Sequence, residues 1–190
     1  MPGSKASAGP THRRVALLRG INVGGHALVK MADVRKLFES HGLTDVATYI
    51  QTGNVVFSTR DADPQRLARQ LEERLAPAVG NQIKVFVLSP AELQEAAAHN
   101  PFEPERRDHE QRCHLMFLSA EPEAARREKL MALQGEEYRF HLRGKVLYYA
   151  YDNQYAAGNR RNIDLERVLG VAGTARTWKV VAKLIELAGG

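Results

Sequence analysis

The chain has 190 residues, 44% hydrophobic and 26% charged, with a formal net charge of +5, the profile of a globular protein with room for one large domain or two small ones. Its single cysteine, Cys113, excludes an internal disulfide framework, and no run reaches the roughly 18 apolar residues that a membrane span needs. All of the excess positive charge falls in residues 138–190, which hold nine basic and four acidic groups. That asymmetry suits either an anionic partner such as nucleic acid or a soluble surface with scattered arginines. The N-terminus lacks the apolar core of a signal peptide, so a reducing cytoplasm is the expected setting.

Residues 1–12 are small, polar and rich in Pro and Gly, and read as a disordered tail. Arg14 to Leu18 is almost wholly apolar and predicts a central strand. A glycine-bearing loop, Arg19 to His26, follows. Met31, Val34, Leu37, Phe38 and His41 then recur at helical spacing, with Gly42 as the stop. Val46 to Ile50 and Val55 to Ser58 are short β-prone runs, and Gln51-Thr52-Gly53-Asn54 between them indicates a hairpin. Asp63 as N-cap and Pro64 at the first position open a helix with Leu67, Leu71 and Leu75 as its stripe, ended by Pro77 or Gly80. Ile83 to Leu88 is a strand.

Ser89-Pro90-Ala91-Glu92 starts a third helix as a capping box, and residues 100–112 read as a polar linker. Cys113 to Leu118 is a strand and Pro122 to Leu133 a helix. Tyr138 to Leu142 and Val146 to Tyr151 form a hairpin across Arg143-Gly144. After a loop, a short helix runs from Ile163 to Leu169, and a last helix opens at Thr174 with Trp178, Val181, Ile185 and Ala188 on one stripe.

The element order predicts an α+β fold. Its N-terminal subdomain, residues 13–99, is ferredoxin-like, β-α-β-β-α-β, with two helices on one face of a four-stranded antiparallel sheet. Residues 113–190 form a second, partly repeated α+β subdomain, β-α-β-β-α-α, with extra C-terminal helices.

Three stretches carry candidate chemistry. In the first loop, Gly20, Gly24 and Gly25 permit close backbone approach, while Arg19 and Asn22 add a charge and an amide; an anion is the natural ligand. The spacing matches neither the phosphate loop nor the dinucleotide fingerprint, and tight backbone geometry alone would also explain the glycines. At the hairpin tip, Thr52 and Asn54 offer a hydroxyl and an amide, or else ordinary turn chemistry. At the opening of the last helix, Thr174, Arg176 and Lys179 would hold an anion with help from the helix dipole, or Thr174 or Thr177 would serve as cap and Trp178 as core anchor.

A further group, Tyr148, Tyr149 and Tyr151 with the loop Tyr155 to Asn162, has the composition of a base-stacking surface, though such tyrosines are commonly plain strand residues. Catalytic signals are weak. The seven histidines form neither HxH nor HExxH, and adjacent Cys113 and His114 should point to opposite faces of a strand. Cys113 suits a buried structural thiol. No catalytic residue, metal ligand or cofactor is assigned.

The run LLRGINVGG…VKMADVRKLFESHGLTDVATYIQTGNVVF, Leu17 to Phe57, closely resembles the opening signature of the bacterial family catalogued as domain of unknown function 1697. The family's usual Ser-Gly-Asn is Thr52-Gly53-Asn54 here. Its Thr-x-Arg-Asn-x-Asn near the last helix corresponds to Thr174-Ala175-Arg176-Thr177-Trp178-Lys179, with both asparagines replaced. The resemblance implies a cytoplasmic bacterial α+β protein with ferredoxin-like subdomains. It supplies no catalytic residue.

The function expected from these readings is binding of an anionic, phosphate-bearing ligand, a nucleotide or nucleic acid. The glycine-bearing loop would face the arginine-bearing helix start, using Arg19, Gly20, Asn22, Gly24, Gly25, Thr52, Asn54 and Arg176. The alternatives are an enzyme on a small anionic substrate, or a structural or oligomerising module.

Overall fold

The computed structural model describes residues 10–21, 29–79, 83–102, 111–152 and 163–189. It shows a mixed α+β protein with two four-stranded antiparallel sheets and, among the described residues, six helices. The chain divides into two compact units, residues 1–90 and 91–190.

In the first unit the order is β1 (His12–Arg19), α1 (Met31–Ser40), β2 (Thr44–Tyr49), β3 (Asn54–Thr59), α2 (Pro64–Val79) and β4 (Lys84–Leu88). The sheet runs β2-β3-β1-β4. β1 is central because Val15, Ala16, Leu17 and Leu18 are all withdrawn from water, as expected of a strand flanked on both sides. The helical stripes Met31-Val34-Phe38 and Leu67-Leu71-Leu75 close over Ala16, Leu18, Val55, Phe57, Val85 and Val87, the alternate residues of three strands. Phe38 and Phe57 meet edge to face with ring centroids 5.5 Å apart. Asp63 caps α2, its Oδ1 accepting from the backbone N–H of Gln65 and Arg66. Of the two stops expected for α2, Pro77 and Gly80, Pro77 is not the one used. It lies in the last turn, and the helix runs on to Val79.

The second unit has α3 (Pro90–Ala98), β5 (Gln111–Leu118), α4 (Ala124–Met131), β6 (Tyr138–Arg143), β7 (Val146–Asp152), α5 (Leu165–Leu169), β8 (Gly173–Thr177) and α6 (Trp178–Leu187). The sequence reading grouped α3 with the first half, but its body falls in the second unit. There Ala96 O accepts from the hydroxyl of Tyr148 on β7 at 2.9 Å. α4 and α5 cover the other face of the sheet, with Leu130 and Leu169 in one cluster with Met116, Leu118, Tyr138, Phe140 and Leu147.

The sheet order is β6-β7-β5-β8. The strand β8 corrects the sequence reading, which began the last helix at Thr174; α6 begins at Trp178. With β8 in place the second unit contains the complete order β-α-β-β-α-β, arranged as in the first.

The correspondence reaches single hydrogen bonds. Leu18 N donates to Gly53 O at 2.8 Å, and Leu118 N to Lys145 O at 2.9 Å. On the β4 edge, Val85 N donates to the Glu72 carboxylate at 2.9 Å; on the β8 edge, Gly173 N donates to the Glu166 carboxylate at 2.7 Å. Leu18 pairs with Val85 as Leu118 pairs with Gly173, so the two edge bonds occupy the same place.

Candidate functional site

The first two expected stretches meet at one end of the first sheet. β1 ends at Arg19, and Gly20 turns the chain at φ +83°, a left-handed conformation open to glycine. The bond from Leu18 N to Gly53 O ties that end to the β2–β3 tip. Gly53 is also left-handed, at φ +76°. A Cβ on it would lie 2.5 Å from Ile21 Cγ2 and 2.7 Å from Leu18 Cβ, so the close approach requires glycine. Asn22, Gly24 and Gly25 lie outside the described residues.

Charge collects at this end. In the β1–β4 register Arg19 stands opposite Lys84. Like charges directly opposite are unfavourable across a pair of strands. The Lys84 ammonium is relieved in part by Glu72 at 3.2 Å.

Of the two roles its place at the hairpin tip offered, Asn54 serves the turn. It is fully buried, and both hydrogens of its Nδ2 are used within the tip, one on Tyr49 O at 3.0 Å and one on Thr52 Oγ1 at 3.1 Å. It is a positioning residue that shapes the turn. What the tip presents outward is Ile50, Gln51 and Thr52, all exposed. Ile50 is the residue that sequence reasoning missed. It is 46% exposed and sits at φ +49°, left-handed and strained for a β-branched side chain. The hairpin signal placed it at the end of a strand, and no local pattern marks its conformation.

Arg176 is not at a helix start. It lies in β8, buried to 8% exposure, with Nη1 donating to Thr174 Oγ1 and to Ala175 O, each at 2.8 Å. Burial pushes its guanidinium down to about 10. Arg176 belongs to the second unit and Arg19 to the first. The helix α6 opens two residues after Arg176, with Thr177 as its N-cap.

The tyrosines are equally occupied with packing. Tyr148 and Tyr151 are buried at 1% and 8% exposure, and His114 stacks on Tyr149 with centroids 4.8 Å apart and planes 4° from parallel. Tyr148 and Tyr151 are thus withdrawn from a base, and one face of half-buried Tyr149 is covered by His114. The loop Tyr155 to Asn162 lies outside the described residues. Cys113 is buried and receives Asn100 Nδ2 on its sulfur at 3.3 Å, while His114 lies on the opposite face with Tyr149 and Tyr151. Among the described residues no three His, Cys, Asp or Glu side chains gather as they would around a metal ion. A separate hollow of about 580 Å³ opens beside Thr11, His41, Ser58, Arg60, Asp61 and Gln70, at the other end of β1.

Residues 11–148 match the family model described as Protein of unknown function (DUF1697). Among solved structures, that of the conserved bacterial protein SP0830 from Streptococcus pneumoniae is similar over 94% of this chain and 99% of its own. The two are 23% identical and superpose with a TM-score of 0.67, a likeness of fold. No curated protein matches.

Proposed function

The chain belongs to the DUF1697 family of proteins of unknown function, and we propose that it binds an anionic, phosphate-bearing ligand at the Arg19 end of its first sheet. We read both units as ferredoxin-like repeats, with the site in the first alone. One comparison carries this reading. Where the first unit has Arg19 opposite Lys84, the second has Ser119 bonded to Ala172; where the first has Gly53 and Asn54 at the tip, the second has Lys145 and Val146. A shared scaffold explains the common residues. It does not explain two cations side by side and a buried amide in one copy only.

The basic balance of residues 138–190 favours nucleic acid as a second reading. The packed state of Tyr148 and Tyr151 weighs against it, because stacking platforms need exposed rings. The lone buried thiol, and the lack of a helix among the described residues long and apolar enough to cross a membrane, fit a cytoplasmic setting.

Calorimetric titration of inorganic phosphate into the full chain tests the reading. Saturable binding is expected, weakened by added salt and at least fivefold by Arg19→Ala. Absence of saturable heat, or an Arg19→Ala protein that binds equally well, overturns it.

A further inference from the structure

We infer that Ile50 is a contact residue of this site and that the ligand is an organic phosphate of the mononucleotide class, carrying an apolar ring beside its phosphoryl group. This rests on the anion reading above and adds the ligand's second half. The large apolar side chains most exposed among the described residues are Ile50 and Met131, at 46% and 40%. Ile50 alone of the two pairs that exposure with a left-handed backbone, φ +49°. Asparagine or glycine would sit there with less strain, because neither resists φ > 0 as a β-branched residue does.

The strained turn is held in place by a dedicated device. Asn54, fully buried, bonds the carbonyl before Ile50 and the hydroxyl two residues after it. The turn so held sits on the same tip that Leu18 N ties to the end of β1, one residue before Arg19. The cationic ends of β1 and β4 and the exposed aliphatic side chain of the β2–β3 tip thus share one end of the same sheet, an arrangement complementary to a ligand with an anionic group and an apolar face. Inorganic phosphate or a sugar phosphate would leave Ile50 without a partner. A base ring would cover it.

The experiment compares adenosine 5′-monophosphate, ribose 5-phosphate and inorganic phosphate by calorimetry on the wild-type chain and on Ile50→Asn. The wild type is expected to bind the nucleotide at least tenfold more tightly than ribose 5-phosphate. Ile50→Asn should bring the nucleotide down to the sugar phosphate's affinity, lower that of inorganic phosphate far less, and raise the melting temperature. If phosphate binds through Arg19 but the nucleotide gains nothing over ribose 5-phosphate, or Ile50→Asn leaves the nucleotide's affinity intact, the role of Ile50 is wrong and the anion site stands. If none of the three binds, both readings are wrong.

Discussion

Asn54 shows how one buried amide can decide the shape of a surface. Its two donors satisfy Tyr49 O and Thr52 Oγ1 in a position that water does not reach. Asn54→Val copies the residue of the second unit and leaves those partners unmatched, so it should cost about 1–3 kcal/mol in urea unfolding. The two glycines of the site separate space from conformation. Gly20 and Gly53 are both left-handed, but a Cβ meets nothing within 4 Å at Gly20 and meets Ile21 Cγ2 at 2.5 Å at Gly53. Gly20→Ala should cost roughly 1–2 kcal/mol for its backbone alone. Gly53→Ala adds the overlap and should cost roughly 2–5 kcal/mol.

Asp61, beside the separate hollow, is held below the ordinary aspartate value of 3.8 by hydrogen bonds from Arg66 and from the Asp63 backbone. A carboxyl lowered in the folded state stabilises it above the ordinary value, and that contribution is lost as pH falls through the lowered one. The stability gap between the wild type and Asp61→Asn should therefore be full at neutral pH and shrink below about 3.8, as urea unfolding across pH will show.

At the scale of elements, strong periodicity was legible and small residues were not. The stripes Met31-Val34-Phe38 and Leu67-Leu71-Leu75 faced the core where their spacing placed them. β8 stayed hidden because Gly173-Thr174-Ala175-Arg176-Thr177 has neither bulk nor alternating hydrophobicity. The structure gives the reason: a Cβ on Gly173 would lie 2.5 Å from Met116 Cε and 2.9 Å from Leu118 Cδ2, so long side chains from β5 fill the space. Missing β8 placed Arg176 at the opening of the last helix, which begins two residues later, at Trp178.

The edges of both sheets are also guarded by residues with no sequence signature. Glu72 and Glu166 take the N–H groups that Val85 and Gly173 would otherwise leave open to a second chain. Glu72→Ala removes an ionised acceptor from Val85 N and the counter-charge from Lys84, and should cost about 1–3 kcal/mol by chemical denaturation.

For the whole molecule, the duplicated plan is what makes the first unit informative. The sequence displayed only a partial repeat, since element order without β8 was incomplete and no identity links the halves. Once the registers are aligned, some matched positions are apolar in both units, as Val55 and Leu147 are, and others change character, as Leu88 to Arg176 and Arg13 to Cys113 do. At the end of β1 three such changes fall together, with Arg19, Lys84 and Asn54 where the second unit has Ser119, Ala172 and Val146.

Backbone amide shifts of the ¹⁵N-labelled chain during a phosphate titration would test that asymmetry most directly. The account predicts saturable shifts centred on Gly20 and on Gln51 to Gly53, absent in Arg19→Ala, with Ser119 and Lys145 unmoved. Shifts centred on the second unit's tip, or none that saturate, would contradict it.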